Sequence, residues 1–145
     1  MALSQDILAE LAEIVPASPL AEARATRDAA TRHAQGSYEI LFSQQDAAFA
    51  LDERFAVAAK VAKWHHAEAL AAHYAGFGLA DPTSGRLTAA LNFARLLTFS
   101  PVDATPGALQ ALVKAGWSKD GIVTLAQLIA FVSFQSRLIA GLRLL

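Results

Sequence analysis

Residues 63–73 read Lys-Trp-His-His-Ala-Glu-Ala-Leu-Ala-Ala-His and carry three of the chain's four histidines, His65, His66 and His73, around one carboxylate, Glu68. Histidine titrates near neutrality, so this grouping suits general acid and base work, and the same residue types bind metals. On one continuous helix His66 and His73 share a face but stand roughly 10 Å apart along the axis, too far to hold one ion. His65 and Glu68, three apart, are neighbours on such a helix and can approach the same ion. Yet the His-Glu-x-x-His zinc pattern is absent, and the di-iron order Glu-x-x-His is reversed here with no second copy. A metal site would lack ligands, no cofactor is expected, and His65 with Glu68 reads first as a helix-surface pair.

Composition removes other chemistries. With no cysteine among its 145 residues, the chain has no disulfide, thiolate metal site or thiol nucleophile. Ser118 and Ser133 lie in no Gly-x-Ser-x-Gly context and show no His and Asp partners in sequence, which leaves a hydrolase triad without support. A formal net charge of −1 and the absence of any Lys/Arg run argue against nucleic acid. Hydrophobic residues make up 54% and charged residues only 17%, against about 25% charged in average domains, so more apolar surface is expected than one small globule hides. A homo-oligomer follows as the expected state. The longest apolar run, residues 121–134, is shorter than a membrane span of about 20 residues and contains Thr124, Gln127 and Ser133, and the N-terminus shows no secretory signal. A cytoplasmic protein without a membrane segment is expected.

The elements that position the histidines are punctuated by caps and breakers. Ser4 is placed to cap a helix reaching about Val15, before Pro16, and Ser18-Pro19 opens a second reaching about Gln35-Gly36. Residues 37–51 are less regular, with Tyr38, Leu41 and Phe42 able to pack from a short helix or a loop. From Asp52 to Ala75 apolar residues recur near helical spacing until Gly76 and Gly78, which makes one long histidine helix. Further helices are expected from Ser84 to Thr98, after Thr105-Pro106 to Gly116, and from Ser118 onward. The last is apolar on nearly every side and reads as the core of the fold or of an assembly. Arg137 within it must then be paired, with Glu53, Glu39 or Asp103 as partners, and Trp64 and Trp117 read as core or interface residues. No alternating strand pattern is present, so the expected fold is all-α, a single domain over residues 1–145 with six or seven helices.

Two stretches resemble the alkylhydroperoxidase D and carboxymuconolactone decarboxylase (CMD) superfamily. The first is Leu51-Asp52-Glu53-Arg54 leading through Val57, Ala58 and Val61 to His73, which looks like that family's acidic start to a helix bearing Cys-x-x-Cys-x-x-x-His. The second is Ala115-Gly116-Trp117-Ser118, then Ile122 and the Phe131-Val-Ser-Phe-Gln-Ser-Arg137-Leu end, which resembles the family's closing helix. The resemblance implies an AhpD-like helical fold. Laying the motif back from His73 places its second cysteine at Ala69 and its first at His66, so both thiols are missing. His73 matches the relay histidine, whereas Glu53 lies one residue from the relay carboxylate position, which Arg54 occupies.

The chain is thereby similar to cysteine-free CMD domain proteins. That likeness implies a non-redox protein of unassigned activity that forms oligomers or partners an alkylhydroperoxidase-domain relative. The other expectation is a cofactor-free decarboxylase or isomerase, with His65, His66, Glu68 and His73, and by resemblance Glu53, as its acid and base groups. A small-molecule binding module reusing the same pocket is the third.

Overall fold

The computed structural model describes residues 5–43 and 46–145. Among them the chain is all-α: α1 (Ile7–Leu11), α2 (Pro19–Ala25), α3 (Asp28–Ser43), α4 (Leu51–Trp64), α5 (Glu68–Ala75), α6 (Gly85–Phe99), a 3₁₀ turn at Pro101–Asp103, α7 (Pro106–Lys114) and α8 (Lys119–Leu142). The Ser4 cap lies outside the described residues. Asp6 caps α1 instead, accepting the Ala9 N–H at 3.0 Å, and α1 stops well before Val15. Ser18, Ser84 and Ser118 cap α2, α6 and α8 as their positions in the sequence imply.

Two expected helices are each divided, so eight α-helices stand among the described residues where six or seven are expected. The second breaks at residues 26–27, and its continuation α3 runs through Gly36 to Ser43, so residues 37–43 of the less regular stretch are helical while residues 46–50 form a turn and loop before α4. Helix propensity alone does not fix the path of Gly36, and here α3 continues because Tyr38, Leu41 and Phe42 are buried one turn later.

The histidine helix breaks at residues 65–67, and this is the main departure from the expected arrangement. His66 takes φ +57°, its N–H bonds the Lys63 carbonyl at 3.0 Å, and the Ala67 N–H reaches the Ala62 carbonyl at 2.9 Å. These are the two bonds of a Schellman cap, which normally places glycine at the left-handed position. Gly116 fills that position after α7, where the Trp117 N–H bonds Leu112 at 3.1 Å. After α4 a histidine fills it, so the sequence carries no glycine signal there. Replacing His66 by glycine is expected to raise the unfolding free energy by about 1 kcal/mol, since left-handed dihedrals cost an L-residue that order of energy. Urea unfolding measures it, and an unchanged or lowered midpoint would contradict a strained backbone.

The Schellman turn folds α5 back against α4, and α4 also touches α3, α6 and α8. Helix α4 is accordingly the interior element, with Arg54, Phe55, Val57, Ala58, Val61 and Ala62 buried. Helix α8 packs its Leu125, Leu128, Ile129, Val132 and Ile139 face into the same core, and its other face is open. Arg137 lies on that open face, so the paired interior arginine expected at this position is not there. The buried guanidinium is Arg54, 3% exposed, donating to the carbonyls of Phe49 at 2.8 Å and Leu41 at 2.9 Å. Trp117 is core, as expected, and Trp64 is half-buried against Phe99.

Candidate functional site

The break after α4 redistributes the histidines. His65, the last residue before the reversal, turns its Nε2 toward the Ser133 hydroxyl of α8 at 2.9 Å. Beside it a cavity of about 300 Å³ is lined by His65, His66 and Glu68 on one wall and by Ser136, Ile139, Ala140 and Arg143 on the other. Three of the five expected site residues therefore meet at one place. The His65–Ser133 contact joins residues far apart in the chain and carries no local sequence signal. His65 hydrogen-bonds no carboxylate among the described residues, so the pair stops short of a triad. Burial holds the His65 pKa below 6.5, and Arg137 and His66 push it the same way. At neutral pH His65 is an uncharged imidazole able to take a proton.

His73 lies elsewhere. From α5 it meets α3, where its Nε2 is 2.7 Å from the Tyr38 hydroxyl, and its ring packs edge-on against Tyr74 and Phe77. Tyr38 is fully buried, and desolvation, helped by Glu10, pushes its pKa up to about 12, so the phenol stays protonated and needs an acceptor. Neutral His73 provides one, and the Tyr38 O–H donates to it. Behind this pair the Tyr74 O–H donates to Gln135 Oε1 at 2.5 Å, while Gln135 Nε2 has no partner among the described residues. Tyr38, Phe42, Phe55 and Tyr74 enclose the group in rings. His73 is a packing residue with a polar tip rather than a wall of the cavity.

Burial lowers the His73 pKa below 6.5, against a smaller opposing effect of Glu10. The unfolded chain therefore binds more protons than the folded one at mildly acidic pH. The full contribution of neutral His73 is present above pH 6.5 and is lost as pH falls through that value toward the depressed folded pKa. His73→Gln, which keeps an acceptor but does not titrate, is expected to flatten stability between about pH 6.5 and 5, above the usual carboxylate range. Urea midpoints across that window measure the slope. Equal slopes for the two proteins would show that His73 protonates freely in the fold.

Glu53 is in a third place. Its Oε1 accepts Arg86 Nε–H at 2.8 Å and its Oε2 accepts the Ala50 N–H at 3.2 Å. Ala50 has no side-chain acceptor, so only the carboxylate half of a capping box is made. Arg86 also donates to the Gly116 carbonyl at 2.9 Å and to the Ala48 carbonyl, and stacks on Trp117 with 3.9 Å from guanidinium carbon to ring centre. That carboxylate is occupied in joining helices. Neither Arg86 nor Tyr38 was legible as a partner, since each reaches its acceptor across more than thirty positions. No three His, Asp or Glu side chains among the described residues come together as metal ligands would.

The class this defines is an all-helical protein with one histidine-lined surface cavity and no thiol. Compared with known proteins, the chain matches no protein-family model and no curated protein.

Proposed function

We propose that this protein is a non-redox, cysteine-free member of the alkylhydroperoxidase D and CMD superfamily, acting as an oligomeric or partner-forming helical subunit beside an alkylhydroperoxidase-domain relative. The observation that carries this reading is the apolar surface left open on helices whose other faces fill the core. Val123 is 57% exposed and Phe134 45% on α8, and Ile40 is 61% exposed on α3. Such side chains gain by burial against another chain, at about 25 cal/mol for each Å² removed from water. The dispersal of His73 and Glu53 from the cavity also weighs against a relay.

Two measurements on purified protein test this. Light scattering should give a mass above that of one chain, alone or after mixing with an alkylhydroperoxidase-domain relative, and peroxide consumption with a dithiol reductant should equal the blank. A monomer that stays alone in both settings, or turnover coupled to a disulfide reductant, overturns it.

One observation favours the second reading, a cofactor-free decarboxylase or isomerase. His66 is held in left-handed strain at the rim of the cavity that neutral His65 and Glu68 share, and such strain concentrates at functional sites. In this reading His65 takes the proton and His66 or Glu68 returns it, without His73. Deuterium exchange at the acidic carbon of unsaturated lactones, lost in His65→Ala, tests it. Exchange that persists in that variant removes the role.

A further inference from the structure

The open face of α8 has an internal order. Val123, Gln127, Ala130, Phe134, Arg137 and Gly141 are all exposed, and the steps between them alternate four and three without a break. This is the 3.5-residue repeat that lets one helix lie along another, with each side chain inserting between those of the neighbour. A solvated face would carry charges throughout, whereas Arg137 is the one charged residue of these six and forms no ion pair among the described residues.

We infer that this stripe docks on the same stripe of a second copy of the chain, with the two α8 helices antiparallel about a twofold axis near Val132. The inference rests on the oligomeric reading above and specifies its surface. In this register Phe134 lies over the partner subunit's Ala130, Val123 over the partner subunit's Gly141, and Arg137 over the partner subunit's Gln127. Each layer sets a large side chain against a small one, or a guanidinium against an amide oxygen. A parallel pair would instead set Phe134 on Phe134 and Arg137 on Arg137, adding like-charge repulsion, with a void at Gly141. Charge and volume thus select the antiparallel arrangement, and the twofold makes every contact twice and closes the assembly at two chains.

The stripe is about 27 Å long at 1.5 Å per residue. With half-buried Ala126, Phe131 and Leu138 at its flanks, the pair buries on the order of 1,000 Å², the area from which specific interfaces begin. Helix α8 is also long and apolar enough to cross a membrane by length and composition. Gln127 and Arg137 in mid-stripe make lipid a costly neighbour and suit a protein one.

The absence of native cysteine makes cross-linking unambiguous. Ala130→Cys protein mixed with Phe134→Cys protein should form a disulfide-linked dimer under mild oxidation, and Val123→Cys mixed with Ala130→Cys should not. Ala130→Glu, at an exposed position, should keep the helical circular dichroism and weaken self-association at least about tenfold. An assembly that survives Ala130→Glu and gives no 130–134 cross-link overturns the α8 interface and leaves the oligomeric reading standing. A wild-type protein that is monomeric at all concentrations and still monomeric with a relative overturns both. A monomer that sediments with phospholipid vesicles gives the stripe to lipid and overturns the pairing.

Discussion

Replacing Arg54 by alanine is expected to lower the unfolding free energy by roughly 3 to 5 kcal/mol, because each buried polar group left without a partner costs about 1 to 3 kcal/mol and a cavity adds to that. The guanidinium is the donor for two interior carbonyls, those of Phe49 and Leu41. It also lies over the Phe49 ring at 5.2 Å and faces Asp46 at 3.8 Å. Burial disfavours its charge and Asp46 favours it, so what holds the group inside is this set of acceptors. Since whole domains are stable by only about 5 to 15 kcal/mol, the variant should be close to unfolding at ambient temperature. Arg54→Met, which fills the space but donates nothing, separates the two parts of the loss. If urea unfolding of Arg54→Met matches wild type, the carbonyls find water and the account is wrong.

The second large effect is at Arg86. Its three acceptors lie on the start of α4, on the loop before it and on the turn between α7 and α8, so one side chain ties three segments. Arg86→Ala is expected to cost roughly 2 to 3 kcal/mol, with charge-assisted bonds at about 1.5 to 3 kcal/mol each and part of the loss regained from solvent at the exposed edge. Arg86→Lys should recover less than half of this, because a lysine cannot fork between acceptors or stack its plane on Trp117. The Trp117 indole N–H donates to the Arg86 carbonyl, so its fluorescence reports the loosening alongside the urea midpoint. A lysine variant as stable as wild type would show that only the charge matters. The same carbonyl of Ala48 lies 2.9 Å from where a Cβ on Gly121 would stand, which explains a glycine in the first turn of the longest helix.

The helical class and most caps were legible because serine and proline at helix starts act through bonds local to the sequence. Ser118 and Ser18 cap as read, and Thr105-Pro106 opens α7. The division of the histidine segment was not legible, since it depends on a histidine adopting the dihedrals that glycine usually adopts. With that turn unseen, His65, His66, Glu68 and His73 belong to one helix. With it, the first three border a cavity and the fourth meets Tyr38. Arg137 was misplaced for a related reason. Apolar residues on nearly every side of α8 imply complete burial, yet in the fold one face of it is open. Arg54, the true interior arginine, sits in an ordinary amphipathic stretch and is buried by long-range contacts with residues 41 and 49.

Helix α2 has no buried residue. It is held by the Ser18 cap and by Arg24, which grips Asp6 at 3.0 and 3.3 Å, and not by the core. Its opening is therefore decoupled from global unfolding. Amide hydrogens of residues 22–25 should exchange through a local event far cheaper than the one that releases those of α4 and α8, and a protease should make its first cut there while the remaining helices stay folded.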